Sequence, residues 1–285
     1  MKYEIRPITP DNRNSVLDAL SAAFGGGFDS RWFEWKHEAG PWGRSPGWVA
    51  RDDGGLIGVR LFLPWRFRQG QRVYRALRPC DTVTVPRARG MGVFRNLTET
   101  AMNATSDSVD FYYNTPNSQS RPGYLKMGYV QWTSVVQHAG VVISRRARLD
   151  SPRLDIPPAD ATSMRTATSD AFLEWRYRRC PRYQYELFAL AEADSANGIV
   201  CRVRAARGRR MLAVSELWGS HREKRALLRA AAAELSTRIV WITAEHQGSV
   251  PVSLRRQGTV VTRYDVSTAN LSSPCFSLGD IEDVL

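Results

Sequence analysis

The sequence predicts a mixed α/β (α+β) protein in which a mixed central sheet is flanked by helices, and it predicts that this unit occurs twice. Three observations support this. Strand-like and helix-like runs fill residues 1–147, a glycine-rich turn joins a strand to a helix within residues 81–97, and a weaker form of the same order returns in residues 163–285. Mixed strand and helix patterns of this kind are typical of folds that cover a sheet with helices.

Local patterns give the element order of the first half. The run "TPDNRNSVLDALSAAF" (9–24) places Val16, Leu17, Leu20 and Phe24 on one face, which predicts a capped helix. The run "GWVARDDGGLIGVRLFLPWRF" predicts a hairpin around an Asp-Gly turn, and "QRVYRALRPCDTVTV" predicts a further pair of strands. After the turn we expect a helix at "GVFRNLTETAMNAT", a strand at "VDFYYN" and a short helix at "SRPGYLKMG". The run "YVQWTSVVQHAGVVI" predicts a long closing strand or a pair of strands.

The second half repeats features of the first. "FLEWRYRR" (172–179) resembles "WFEWKHEA" (32–39), and residues 238–261 can be laid on residues 108–131 at a constant offset. The identity is low, so two unrelated α/β units are the alternative to an internal duplication. Where the first copy has its glycine-rich turn, the second reads "GSHREKR". We predict a first domain at 1–147, a Pro- and Asp-rich linker at 148–162 and a degenerate second domain at 163–285.

Composition narrows the class of protein. The net charge is +12, but only four of the 40 basic residues are lysines, so arginine abundance alone does not indicate nucleic acid. No run reaches the roughly 18 apolar residues of a membrane span, and the first residues lack an apolar leader. The four cysteines are far apart without CxxC spacing, which predicts neither a metal site nor a disulfide framework. We expect a cytoplasmic protein.

The segment "DTVTVPRARGMGVFRNL" (81–97) carries the clearest functional signal. We name residues 87–92, "RARGMG", the glycine turn. Gly90 and Gly92 allow backbone conformations that other residues avoid, and the amides that open the next helix would point at an anion. Arg87 and Arg89 could add charged hydrogen bonds to phosphate oxygens. An ordinary turn before a helix is the alternative. The turn matches neither GxxxxGK[ST] nor GxGxxG.

The glycine turn resembles the Q/R-x-x-G-x-G/A signature of the GNAT superfamily of N-acetyltransferases, which holds the pyrophosphate of acyl-coenzyme A. "TVTV" before the turn resembles the family's pantetheine-binding strand, and "YLKMGY" (124–129) resembles its Y-x-x-x-G-F/Y motif. The resemblance covers residues 1 to about 140 in full element order. It implies acetyl-CoA or another acyl-CoA as co-substrate, bound by Thr82, Val83, Thr84, Val85, Arg87, Ala88, Arg89, Gly90, Met91, Gly92, Val93, Asn114 and Asn117.

Two catalytic candidates follow from the same resemblance. Tyr124 stands where many members place the proton donor for the departing thiolate; a core aromatic is the alternative. Asp81 opens the pantetheine strand and could take a proton from the amine, directly or through water, or it could be a structural carboxylate. Glu34 and His37 are weaker candidates for binding the acceptor or acting as the base.

The resemblance therefore implies an N-acyltransferase. We expect it to pass an acetyl or other acyl group from acyl-CoA to a primary amine of a small molecule by direct attack. One alternative is a GNAT-like transferase whose donor is an acyl carrier protein or an aminoacyl-tRNA, the one way in which nucleic acid would be a partner. Another is a non-catalytic acyl-CoA-binding protein. We expect neither a metal nor a membrane partner. The second half would serve as a homodimer face or as a pocket wall.

Overall fold

A computed structural model describes residues 2–25, 28–151, 163–191, 193, 196–206, 208–266 and 271–281. The chain forms two compact units. The first consists of Met1–Phe67, Val73–Trp132 and Val261–Leu271, and the second of Arg68–Arg72, Thr133–Val260 and Ser272–Leu285. Most of the predicted linker, residues 152–162, lies outside the described residues. The division into sequence domains at 147 and 163 stays a prediction.

The structure has the mixed α/β character that the sequence predicts. Its strands are β1 (Glu4–Pro7), β2 (Gly47–Asp52), β3 (Gly55–Gln69), β4 (Arg72–Thr84), β5 (Phe111–Asn114), β6 (Val130–Val141), β7 (Leu149–Asp150), β8 (Arg165–Thr166), β9 (Glu186–Leu190), β10 (Gly198–Ala206), β11 (Arg209–Trp218), β12 (Ile239–Thr243) and β13 (Val252–Asp265).

The helices are α1 (Arg13–Phe24), α2 (Ser30–Phe33), α3 (Val93–Thr105), α4 (Arg121–Lys126), α5 (Asp170–Leu173), α6 (His221–Glu234) and α7 (Leu278–Ile281). Both α2 and α5 continue directly into a five-residue π-type turn, Glu34–Glu38 and Glu174–Arg178 respectively. These two turns contain the similar tryptophan-centred segments of the two halves.

The sheet of the first unit has the strand order β1-β2-β3-β4-β5, and the end of β13 follows β5. Strands β1 to β3 are antiparallel, whereas β4 and β5 are parallel. One prediction was wrong: residues 72–84 form one strand rather than a pair. Asp81, within this strand, has a φ of +41°, which is not a strand conformation. The local irregularity lies where the sequence pattern predicts the boundary between two strands.

Helix α3 packs on the first sheet through Val93, Leu97 and Ala101, which are buried with aromatic residues of the strands. Its buried positions recur at three- to four-residue spacing, the period that places side chains on one helical face. Gly58 permits the close approach, because a Cβ there would lie 2.6 Å from a methyl carbon of Val93. The packing fixes the start of α3, and with it the glycine turn, against the sheet.

The sheet of the second unit runs β13-β6-β12-β11-β10-β9-β7. Strands β11 and β12 are parallel and are joined through α6, while β10 and β11 form an antiparallel hairpin. Leu227, Leu228 and Ala231 of α6 are fully buried against this sheet. The strand, helix, strand order of the first unit is thus present in the second.

Candidate active site

The glycine turn leaves the start of α3 open. A short 3₁₀ turn at Pro86–Ala88 follows β4, and Gly90 and Gly92 then adopt φ values of +79° and +76°. Gly92 is the N-cap of α3, so no side chain caps the first amides of the helix. A Cβ added at Gly90 would meet nothing within 4 Å. Uncapped helical amides beside open space form a site suited to an anion.

Of the two arginines of the turn, Arg87 has a partner in the structure. It donates from Nη1 and, at 2.9 Å, from Nη2 to the two carboxylate oxygens of Asp52, which lies at the β2–β3 turn. These hydrogen bonds hold the pKa of Asp52 below its ordinary value. Arg89 is exposed. A phosphate at the turn would therefore meet Arg89 directly and would share Arg87 with Asp52.

The edge of β4 that faces β5 is paired with it near the middle of β4. The parallel pairing of β4 with β5 joins Ala76 to Phe111 and Leu77 to Tyr112. Past the end of β4, the Val85 amide donates to Ile57 of β3 at 3.0 Å. Because backbone groups alternate along a strand, those of Thr84 point to the other edge. Along the region predicted to bind pantetheine, β4 therefore has an edge that faces away from β3.

Tyr124, the predicted proton donor, is 2% exposed, and its hydroxyl oxygen accepts a hydrogen bond from Nη2 of Arg60. Nη1 of Arg60 donates to Thr82 on β4. The guanidinium also lies over the rings of Phe94 and Tyr124, at 4.6 and 5.4 Å from their centroids. Arg60 is itself 1% exposed, and no carboxylate among the described residues forms an ion pair with it.

Arg60 fixes the direction in which Tyr124 can donate. Because the phenol oxygen accepts from the guanidinium, its own proton must point elsewhere. Burial raises the pKa of Tyr124, and the positive charge of Arg60 opposes part of that rise. Tyr124 is consequently a protonated acid at neutral pH. Sequence reasoning missed Arg60; the available signal was one arginine within the apolar run "LIGVRLFLPW".

The other catalytic candidate, Asp81, lies in a buried charged cluster with two residues of the first π-type turn. Its Oδ2 is 2.8 Å from Nζ of Lys36 and 2.7 Å from Nε2 of His37. The second ring nitrogen of His37 lies 3.0 Å from the hydroxyl of Ser45. Sequence reasoning named His37 and Asp81 separately and omitted Lys36. The structure brings all three together.

Electrostatics favours an ionised Asp81. Burial would raise the pKa of this carboxyl, but Lys36 and His37 together hold it well below its ordinary value. Burial lowers the pKa of His37, so its ring is neutral near pH 7. A carboxylate with so low a pKa accepts a proton poorly at neutral pH. The geometry therefore suits a fixed counter-ion better than a general base.

Comparison with known proteins matches this part of the chain to a family. A family model for the acetyltransferase (GNAT) domain matches residues 4–131. Those residues form a GNAT acetyltransferase domain. The match covers somewhat less than half of the chain and supports an acyltransferase of the GNAT superfamily. The match contains the glycine turn, Arg60, Asp81 and Tyr124. It ends at residue 131, just before the long segment Thr133–Val260 of the second unit. No curated protein matches the chain.

Solved structures show the same fold. A GCN5-related N-acetyltransferase from Anabaena variabilis has a TM-score of 0.72 at 12% identity, over 93% of this chain and 73% of its own. A GCN5-related N-acetyltransferase from Kribbella flavida gives 0.68 at 13% identity, with 93% and 72% covered. Eis1 from Mycobacterium abscessus gives 0.61 at 12% identity, with 93% and 74% covered. At these identities the likeness establishes the fold.

The remaining predicted residues of the GNAT domain have local partners or lie outside the cluster. Asn114 is 7% exposed, and its side-chain oxygen accepts from the amide of Thr115 at 2.8 Å. Asn117 accepts from the amides of residues 119 and 120 at the start of α4. Glu34 is exposed, whereas its neighbours in the π-type turn are buried. Their predicted roles in coenzyme or acceptor binding stay predictions.

Three possible metal-ligand atoms lie close together in the GNAT domain. The donor atoms of His37, Cys80 and Asp81 lie within 4.8 Å of one another. The Lys36 ammonium already neutralises the carboxylate at 2.8 Å. Burial and the negative charge of Asp81 raise the pKa of the Cys80 thiol to about 11, so the thiol is protonated at neutral pH. The arrangement is that of an ion pair with a neutral neighbour.

The second unit contains a related cluster. Tyr177, in the second π-type turn, donates to Oε1 of Glu216 on β11 at 2.6 Å, as His37 of the first turn contacts Asp81 on β4. Arg176 is buried next to Tyr177, as Lys36 is buried next to His37. The corresponding helix of the second unit is α6, which has no glycine turn before it. The side chain of Ser220 caps its first turn. A strand carboxylate bound to the π-type turn therefore occurs without the glycine turn.

Among the described helices, none is both long and apolar enough to cross a bilayer.

Proposed function

We propose that the GNAT domain transfers an acetyl or other acyl group from acyl-CoA to a primary amine of a small molecule, by direct attack. The observation that carries the proposal is the uncapped start of α3 behind two glycines at positive φ. The space above Gly90 is open because glycine has no side chain that would fill it. The pyrophosphate of the coenzyme is proposed to occupy this space, next to the helix amides.

Each part of the site has a task in this proposal. The amides of residues 92–94 and Arg89 bind the pyrophosphate, and the free edge of β4 from Thr82 to Val85 binds the pantetheine arm. The co-substrate supplies a thioester. The amine nitrogen bonds to its carbonyl carbon, the carbon–sulfur bond breaks, and Tyr124 gives its proton to the leaving thiolate. Arg60 holds the phenol in place during this step.

Deprotonation of the amine is assigned to water rather than to Asp81. Lys36 and His37 engage Asp81, whose pKa lies too low for a base at neutral pH. Asp81 is proposed to fix the bend of β4 as a counter-ion. Positioning of the two reactants then supplies much of the rate acceleration.

Free coenzyme is preferred over the alternative donors for a structural reason. A carrier protein or an aminoacyl-tRNA presents its acyl group without the pyrophosphate of coenzyme A, and the open turn would have no ligand. A sensor without catalysis would not need a buried phenol oriented by an arginine. We therefore keep the small-molecule amine as acceptor and the acyl-CoA as donor.

Replacing Gly90 with Trp tests the proposal. The indole would occupy the space above the turn, so the Kd for acetyl-CoA should rise by about 100-fold or more, equivalent to about 2.7 kcal/mol. Isothermal titration calorimetry of parent and variant measures this directly. Gly208→Trp is the matched control, because Gly208 also has a positive φ of +71° with nothing within 4 Å of its Cβ position.

Two results would contradict the proposal. One is undiminished acetyl-CoA binding by Gly90→Trp while its thermal unfolding matches that of Gly208→Trp. The other is a parent protein that binds neither acetyl-CoA, longer acyl-CoAs nor free CoA. The second result would make the carrier-protein and tRNA donors the next to test.

A further inference from the structure

The second unit has an open cavity of about 770 Å³ whose charged lining is mostly arginine, and four of its five arginines are exposed. It lies between the segment after β6, the end of β9 and the start of α6. The only acidic residue among the described lining residues is Glu223. The arginines are Arg145, Arg146, Arg148, Arg222 and Arg229.

Among the described residues, these five side chains lack the carboxylate partners that several other arginines have. Within the described part of the chain, none of them forms an ion pair or a side-chain hydrogen bond. Several arginines elsewhere have carboxylate partners: Arg6, Arg13, Arg44, Arg87, Arg95, Arg165, Arg178 and Arg263. Like charges that face one cavity repel each other, so an anion placed among them would relieve the repulsion.

Glu223 offsets one of these charges and also caps its own helix. Its Oε2 accepts from the Ser220 amide at 2.7 Å, while the Ser220 hydroxyl accepts from the Glu223 amide at 3.3 Å. The start of α6 is therefore satisfied by its own side chains. Recognition at this cavity would depend on guanidinium groups, unlike recognition at the glycine turn of the first unit.

We propose that this cavity binds a small anion with two or more phosphate groups, of the size of a nucleoside polyphosphate. Guanidinium groups donate pairs of parallel hydrogen bonds that match phosphate oxygens. The volume lies within the range of small-molecule sites, about 300–1,000 Å³. Leu190, Ala191 and Ala226 add an apolar part of the wall, against which an uncharged portion of such a ligand can pack.

Titration calorimetry with magnesium-free ATP and with tripolyphosphate tests the proposal. It is done in the Gly90→Trp background, so that binding at the glycine turn does not contribute. We expect one site, and a rise in Kd of at least tenfold in Arg146→Glu/Arg222→Glu. The control is Arg209→Glu/Arg225→Glu, which makes the same charge change at exposed arginines that do not line the cavity; its Kd should change less than threefold.

The outcomes separate this proposal from the proposed catalytic function. With Gly90 intact, acetyl-CoA binding and transfer by Arg146→Glu/Arg222→Glu should equal those of the parent, whichever way the ATP titration turns out. Equal weakening of ATP binding by both double variants would mean general charge attraction and would overturn the site. Absence of binding to either probe at millimolar concentration would also overturn it. Tighter binding of a 20-nucleotide RNA than of ATP, with loss in the same variant, would replace the small anion with RNA.

Discussion

Tyr124→Phe is expected to lower kcat by about 10²- to 10⁴-fold, the usual contribution of a positioned general acid. The variant keeps the ring, which packs against Phe94 and Tyr129 at centroid distances of 5.7 and 4.9 Å, and removes only the hydroxyl. The departing thiolate would then have to take its proton from water. The Kd for acetyl-CoA should change little, because the glycine turn is untouched. Steady-state release of free CoA with an amine found by screening measures kcat.

The matched control is Tyr129→Phe. Tyr129 is also 2% exposed, and its hydroxyl has only a long contact, 3.7 Å, to the sulfur of Met102. Both variants remove one buried hydroxyl from neighbouring rings, but only Tyr124→Phe also removes the hydrogen-bond acceptor of Arg60. Thermal unfolding of both variants therefore separates a structural loss from a catalytic one. Equal kcat values for Tyr124→Phe and the parent would remove Tyr124 from the mechanism.

The pH dependence of kcat gives an independent reading of the same residue. Burial raises the pKa of Tyr124 above its ordinary value near ~10, so the proton-donating form persists to more alkaline pH than for a free phenol. The parent should therefore show no fall in kcat from this group between pH 7 and about 10. Arg60 opposes the rise, and Arg60→Met should move any alkaline limb to still higher pH.

The sequence was sufficient for parts of the site that depend on contiguous residues. The glycine turn and its helix are one segment, and the positive φ values of Gly90 and Gly92 follow from residue type. Tyr124 and Gly128 are close in sequence and fall in one helix and its end. Such features are encoded locally, so pattern reasoning placed them correctly in the structure.

Contacts between distant residues could not be predicted. Arg87 and Asp52 are 35 residues apart, and Arg60 and Tyr124 are 64 apart. Only the pairing of the strands determines which side chains of β3 face α4. The same holds for Lys36, whose burial beside Asp81 depends on how the π-type turn packs on β4. The bend at Asp81, which made one strand read like two, also depends on this packing.

The strand carboxylates that contact the two π-type turns lie in different electrostatic surroundings. Asp81 is ionised because a lysine lies 2.8 Å away, whereas burial and the nearby Asp280 raise the pKa of Glu216 to about 8. Both carboxylates contact a π-type turn, and the second one does so in a unit that lacks the glycine turn. We infer that the shared task of the carboxylate is to join the strand to the π-type turn. This supports Asp81 as a structural counter-ion.

Asp81→Asn should accordingly lower the free energy of unfolding by about 3–5 kcal/mol near pH 7, the usual cost of leaving one charge of a buried pair without its partner. Lys36 is 3% exposed and would keep an ammonium that no carboxylate neutralises. Urea unfolding followed by tryptophan fluorescence measures the loss. The control is Glu99→Gln, which removes one charge of the exposed Arg95–Glu99 pair and should cost about 0.3–0.5 kcal/mol.

Two further results decide between counter-ion and base. Because the folded state lowers the pKa of Asp81, its stabilisation is complete above pH ~4 and is lost as the pH falls below that value, so the stability gap between parent and Asp81→Asn should narrow there. Adding Lys36→Met to Asp81→Asn should restore part of the stability, because the unpaired ammonium is then absent. If the double variant is stable but its kcat stays 10²-fold or more below that of Lys36→Met alone, Asp81 acts on the substrate, and the assignment of deprotonation to water is wrong.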